Sequence, residues 1–371
     1  MKITDVQAIY LRLPEIQQRT DSSQDALLVK VSTDAGVTGW GEVDGCPLVA
    51  KAVIDAGYSH TQVNGLRAIL LGEDPLDTAR LWKKMYQSTL YFGRSGAAVQ
   101  AMAGVDIALW DIKGKALGQP IASLLGGAQR NTMRVYSSNM FQFTVEATVE
   151  RAKRAIDTGH TAVKFGWEPF GRDAATDLRY VEAIRRTIGE ANDFMLDVGL
   201  AWDAKTTLQR ARLFEPYHLF WIEEPLPPDD YSGYGKVSRG CLQHIAAGEQ
   251  ECSVVGFERL IDEGGIDIVQ IDLTRCGFTQ AMRIATHAHR RGRKVCNHNF
   301  TTDINTAASL HFLCAIDNPL VMEYCVEPSE ISRRLAKTPV AIRDGVAHLP
   351  EEPGLGVEPN QEIIDKYVMR A

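Results

Sequence analysis

Three short segments decide how this chain folds: FMLDVG at 194–199, LFWIEEP at 219–225 and HIAAGE at 244–249. Each is an apolar run that ends in an acid, namely Asp197, Glu223 and Glu249, and successive acids stand 26 residues apart. A short buried strand, a surface helix and two loops fill about that length. Parallel strands built on such a repeat bring their equivalent ends together, so the three carboxylates should converge. Left alone, their charges would repel at close range. A hard divalent cation with oxygen ligands, Mg²⁺ foremost, removes that repulsion. One such acid is an ordinary loop start; three on one repeat form a candidate metal site.

The same alternation extends in both directions. Strand runs fall at 135–137, 162–165, 194–197, 219–223, 245–249, 268–272, 295–298 and 320–323. Amphipathic runs lie between them at 145–158, 174–189, 203–214, 231–239, 253–263, 278–291 and 303–316. Apolar strands alternating with such helices indicate a parallel sheet covered by helices, and eight repeats fit a closed β/α barrel. The eighth helix is poorly marked after Glu327-Pro328, so a slightly truncated barrel is expected there.

Residues 1–44 read as β structure, with 26–31 and 37–42 flanking the Asp34-Ala35-Gly36 turn signal. The polar stretch EIQQRTDSSQ at 15–24 reads as a surface loop or, alternatively, as a lid that touches substrate. Residues 48–127 turn helical. Asp74-Pro75 reads as a helix start, and the run after Gly96 is apolar on most sides, hence central. The expected fold is therefore α/β: a modified (β/α)8, TIM-like barrel with an N-terminal α+β capping domain. The cap covers 1–127, the barrel 128–335, and a segment at 336–371 is expected to pack back onto the cap.

At 371 residues the chain exceeds a typical single core. A net charge of −7 argues against a nucleic-acid or anionic-membrane partner. No apolar run approaches the roughly 20 residues of a membrane span. Seven cysteines without a CxxC pair suggest reduced thiols and a cytoplasmic enzyme.

Side chains two apart on a strand point the same way. The inward strand-end set is then Lys164, Asp197, Glu223, Glu249, Asp272, His298 and Glu323. Burying all of them for packing alone would cost too much desolvation. Their wording, LDV at Asp197, WIEEP at Glu223, AGE at Glu249, IDLTRCG at Asp272, CNHN at His298 and MEY at Glu323, resembles the enolase superfamily and its mandelate racemase subgroup. The resemblance spans nearly the whole chain. It implies Mg²⁺ held by Asp197, Glu223 and Glu249, the first glutamate of Glu223-Glu224 being the ligand. It also implies abstraction of the proton α to a substrate carboxylate, giving a metal-stabilised enediolate.

The chemistry asks for similar parts. Imidazole titrates near neutral pH, so His298 suits the base, and Asp272 can fix its tautomer. Glu323, if protonated, can donate to the substrate carboxylate. The other histidines, His287 and His289 among them, sit in helices or loops and are expected to carry no chemistry. Lys164 matches the first of two lysines common in the subgroup, but Gly166 stands at the second, which serves the opposite face. Gly199 stands where Asn or His is frequent. With one base missing, racemisation is disfavoured. Dehydration stays open, with His298 as base and then acid, or with Lys164 as the acid. Arg275 is too basic to be an ordinary base.

The resemblance, together with the polar candidate lid at 15–24, implies an acid-sugar dehydratase, a hydro-lyase removing the β-hydroxyl to leave a 2-keto-3-deoxy acid. Arg19, Arg94, Trp167, Arg275 and Asn297 are substrate-binding candidates, although packing is the plain alternative for Trp167 and Arg94, as for Tyr91 and Trp202. A small-molecule sugar acid is the expected partner, and a homo-oligomer is expected. The competing readings are a hydroxy-acid racemase or epimerase, and a non-catalytic metal-binding relic of the fold.

Overall fold

The structure, a computed structural model, describes residues 1–369. Eight parallel strands form the barrel: Thr132–Met140, Ala162–Gly166, Asp193–Asp197, Trp221–Glu223, His244–Ala247, Ile268–Ile271, Lys294–Asn297 and Met322–Cys325. The first seven pair in chain order, and the eighth returns to the first. Tyr136, Met195, Trp221, Ile268 and Cys296 fill the interior below the strand ends.

The seam between the seventh and eighth strands is closed partly by a side chain. Asn297 Oδ1 accepts from Glu323 N at 2.7 Å, and its Nδ2 donates to Glu323 O at 3.3 Å. This corrects the expectation that Asn297 binds substrate: its buried amide substitutes for a backbone ladder pair, leaving its ends engaged.

Helix positions follow the sequence periodicity with one exception. The run expected to open at 278 does so: Gly277, at φ +69° and ψ +162°, breaks it from a short turn at 273–276 that Asp272 caps, its Oδ1 accepting from Thr274 N at 2.7 Å. The helix expected from Asp74-Pro75 starts at Thr78 instead, since Asp74 Oδ1 takes Leu76 N at 3.0 Å and closes a turn first. The eighth barrel helix is short, Glu330–Arg334.

In the cap, Ile3–Arg12, Asp25–Thr33 and Thr38–Val43 form an antiparallel sheet. The helix Ala97–Leu117 lies between this sheet and the barrel helix Leu273–Arg290. Its Asp106 is fully buried and accepts from Thr279 Oγ1 at 2.6 Å across the junction. Beyond the barrel, Val346–His348 pairs with the first barrel strand. Leu355 N then donates to Asp111 Oδ1 at 2.9 Å, and Met369 N to Tyr10 O at 2.8 Å, both in the cap.

The 15–24 segment folds over the barrel mouth. Arg19 pairs with Asp21 at 2.5 Å and with Glu327 at 3.1 Å, and Ser22 Oγ donates to Phe300 O at 3.3 Å. The seven cysteines are free thiols. Among the described residues, no helix is long and apolar enough to cross a membrane.

Candidate active site

Strand alternation delivers Asp197, Glu223 and Glu249 to one point at the carboxyl end of the barrel. All three are buried, and one oxygen from each lies within 4.8 Å of the others. An all-oxygen anionic set of this kind fits a hard divalent cation. Burial, reinforced by the charge of Glu223, holds the Asp197 carboxyl well above its usual range. Burial likewise pushes Glu223 up to about 7, against the opposing charge of Lys164. Such costs are what a bound cation relieves. Glu224 stands outside this trio and turns to Gly248 N, 3.3 Å from its Oε1.

Lys164 pairs with Glu223 and lies 2.7 Å from Glu323. Burial works against its charge, but the two glutamates outweigh burial and hold the ammonium well above its usual range. Glu323 Oε1 also accepts from Ser138 Oγ at 2.7 Å, and Oε2 from Asn299 N at 2.7 Å. Burial favours its neutral form, yet Lys164 and His298 overcome it and lower the pKa. In this arrangement Glu323 is held toward its carboxylate form and anchors Lys164, whereas the expected donor role needs the protonated acid.

His298 Nδ1 lies 2.6 Å from Asp272 Oδ2, while Nε2 comes within 3.5 Å of Glu249 Oε2. Burial opposes the imidazolium, but Glu249, the Asp272 hydrogen bond and Glu323 prevail and push His298 up to about 10. A cation held by Glu249 would act against that shift and favour the neutral imidazole. Asp44 also approaches Asp272 and His298. Its carboxylate is taken by Arg275 at 2.9 Å, and the same guanidinium donates to Glu249 O at 2.5 Å.

A cavity of about 280 Å³ opens onto these groups. Lys164, Asp197, Glu249 and His298 line it together with Thr20, Ser22, Ser138, Asn139 and Gln250, and Met140, Trp167 and Phe300 add apolar surface, so its wall is mixed. Of the substrate-binding candidates, Trp167 and Arg275 line this wall, and Arg275 is also the tie between Asp44 and the barrel. Arg19 lines an adjoining cavity with Gln17 and Phe143. Arg94 is corrected: it lies beside Trp82 and Cys252 in a separate, larger cavity of about 500 Å³ that includes none of the clustered acids or His298. Trp202 is internal packing, its Nε1 donating to Gly171 O at 2.7 Å, and Tyr91 is exposed.

Both glycine departures lie in crowded places. A Cβ on Gly166 would meet Asp197 Oδ2 at 2.6 Å, so a side chain there would have to move that carboxylate. Gly199 has φ +59°, and a Cβ there would stand 2.7 Å from the Trp167 ring. Ser138, Asn139, Thr20, Ser22 and Gln250 were not singled out from the sequence. The polar SSN at 137–139, ending the first barrel strand, was the available signal.

An α+β cap over a β/α barrel, with three acids and a His–Asp pair at the strand ends, defines an enolase-type protein. Residues 5–126 match the mandelate racemase/muconate lactonizing enzyme N-terminal domain, and residues 147–363 match the enolase C-terminal domain-like family. The chain belongs to the mandelate racemase subgroup of the enolase superfamily. It is 30% identical to D-galactarolactone cycloisomerase of Agrobacterium fabrum, over 92% of this chain and 91% of that protein. It is also 30% identical to D-galactonate dehydratase of Pectobacterium atrosepticum, over 91% of this chain and 90% of the relative. The 3,6-anhydro-D-galactonate cycloisomerase of Zobellia galactanivorans superposes with a TM-score of 0.91 at 30% identity, covering 100% of both chains.

Proposed function

We propose that this protein is a Mg²⁺-dependent acid-sugar dehydratase. The observation that carries the reading is a one-sided site: the His298–Asp272 pair faces the cavity beside the three acids, and Gly166 leaves no second base. Asp197, Glu223 and Glu249 would hold the Mg²⁺, which when bound would supply positive charge to offset the negative charge developing on the substrate carboxylate. Lys164 binds the same carboxylate as a fixed cation and does not serve as the base. His298 Nε2 takes the α-proton while Asp272 holds Nδ1–H and stabilises the imidazolium. That imidazolium returns its proton to the departing β-hydroxyl; the C–O bond breaks and water leaves. The resulting enol tautomerises to a 2-keto-3-deoxy acid. The hydroxyl and amide lining of the cavity suits a polyhydroxylated chain. The dehydratase relatives support the reaction class.

The cycloisomerase relatives favour one second reading. In it, the first proton transfer is the same, but the leaving oxygen belongs to an internal ring and stays on the product. Incubating the protein and Mg²⁺ with aldonates, aldarates and their lactones or anhydro forms, then reading keto-acid formation and product mass, separates the two. A dehydratase product is lighter by one water; a cycloisomerase product is an isomer. Absence of both products, with no exchange of the α-proton in D₂O, would overturn the catalytic reading and leave the metal-binding relic.

A further inference from the structure

Glu42 lies in the cap, yet its side chain reaches the machinery of the barrel. Gly39 and Gly41 set its direction. A Cβ on either would come within about 2 Å of a carbonyl oxygen in the helix Ala97–Leu117 (2.0 Å to Ala108 O and 1.9 Å to Gly104 O), so this strand lays bare backbone against that helix. Alternation then turns Trp40 and Glu42 the other way. Glu42 is fully buried, and its Oε2 accepts from Thr302 Oγ1 at 2.7 Å and from Asn305 N at 3.1 Å. Asn305 is in the first turn of the barrel helix Asp303–Ala315, so a cap carboxylate satisfies one of that helix's unpaired amides. The Asn305 side chain continues the chain of contacts, with Nδ2 donating to Asp272 Oδ1 at 3.2 Å. Thr274 N and Oγ1 hold the same oxygen, which leaves Oδ2 to His298.

We propose that Glu42 is a positioning residue: through Asn305 it orients the Asp272 carboxylate toward His298, making the catalytic pair dependent on correct seating of the cap. This rests on the dehydratase reading only for the kinetic part of its test. Burial, opposed by the Thr302 hydrogen bond and reinforced by Asp44 and Asp272, pushes the Glu42 carboxyl up to about 8. Its Oε1 is buried without a hydrogen-bond partner. A residue retained at that cost is consistent with a role beyond filling space.

The test compares Glu42→Ala, Glu42→Gln, Asn305→Ala and the Glu42→Ala/Asn305→Ala pair in the full chain. One readout needs no substrate: the low-field proton resonance of His298 Nδ1–H in the Asp272 hydrogen bond. It should shift or broaden in Glu42→Ala and in Asn305→Ala, and remain in Glu42→Gln, whose amide oxygen can still accept. Kinetically, Glu42→Ala should lower kcat about tenfold, the lower end for outer partners of a site. KM and Mg²⁺ affinity should hold, and the effect should vanish in the Asn305→Ala background. An unchanged resonance in both single variants overturns the proposal. So does loss of kcat, KM and Mg²⁺ affinity together, or an effect of Glu42→Ala that adds fully to Asn305→Ala. Should Glu42→Ala not fold, Asn305→Ala decides by the same resonance. Wild-type protein that exchanges no substrate α-proton refutes the dehydratase reading instead, while the resonance still tests Glu42.

Discussion

Lys164 Nζ sits 2.7 Å from Glu323 Oε1 while also pairing with Glu223, so one buried ammonium bridges acids from two strands. Removing one partner of such a buried group leaves uncompensated charge and costs about 3–5 kcal/mol. Lys164→Met should therefore destabilise the metal-free protein by roughly that amount in urea unfolding. Mg²⁺ should restore part of it by neutralising Glu223. An equal loss with and without Mg²⁺ would show that the lysine and the cation do not share this carboxylate.

Gly166 sets a second expectation. Because a Cβ there meets Asp197 Oδ2 at 2.6 Å, Gly166→Ala must displace the carboxylate. Mg²⁺ affinity, measured by calorimetry, should fall about tenfold or more, as for other supports of metal ligands. Asp197→Asn should weaken it further. Unchanged binding in Asp197→Asn would remove Asp197 from the metal site.

The dyad predicts an ordered pair of defects. His298→Asn should abolish both α-proton exchange in D₂O and keto-acid formation. Asp272→Asn should reduce both by about 10²–10⁴-fold, the usual range of general-base catalysis, without reaching zero. Lys164→Ala should raise KM while His298 still exchanges the proton. Wild-type exchange in His298→Asn, together with its loss in Lys164→Ala, would make Lys164 the base and the elimination two-sided.

Asp106 gives a pH dependence away from the site. Burial, opposed by the two Thr279 hydrogen bonds, raises its carboxyl to about 7. In the unfolded chain it releases its proton near pH 4. Between about pH 4 and about pH 7 the folded state thus holds the extra proton, and stability falls as pH rises across that window. Asp106→Asn keeps an acceptor for Thr279 and has no proton to lose. Its stability relative to wild type should therefore improve between pH 4.5 and about pH 7.5, followed by chemical unfolding at each pH. A constant difference across that range would place the titration elsewhere.

The loop at 15–24 is tied down by the Arg19–Glu327 pair at 3.1 Å. Arg19→Ala should increase protease cutting within 15–24, and a bound sugar acid with Mg²⁺ should suppress cutting in wild type. Cleavage unaffected by either change would make the segment an ordinary surface loop.

The barrel was legible in the sequence because its signals are local. A strand alternates every second residue and a helix every three to four, so the repeat and the strand-end positions of Asp197, Glu223, Glu249, Asp272 and His298 can be counted off. The convergence of the acids follows from parallel pairing alone. What tertiary structure decided were contacts between side chains far apart in the chain. Asn297 has the same strand-end address as its neighbours, but only the seam between the last two strands turns its amide to Glu323's backbone. Arg94 reads as a pocket cation until packing places it beside Trp82 and Cys252. Glu323 reads from the sequence as a donor if protonated, and only the fold sets Lys164 2.7 Å from it, which favours the carboxylate. Glu42 and Asn305, 263 residues apart, meet only because bare glycine backbone seats one face of a cap strand and aims the other at the barrel. Hydrogen bonds and ion pairs depend on ångström-scale distance and direction, and residue type and spacing carry neither.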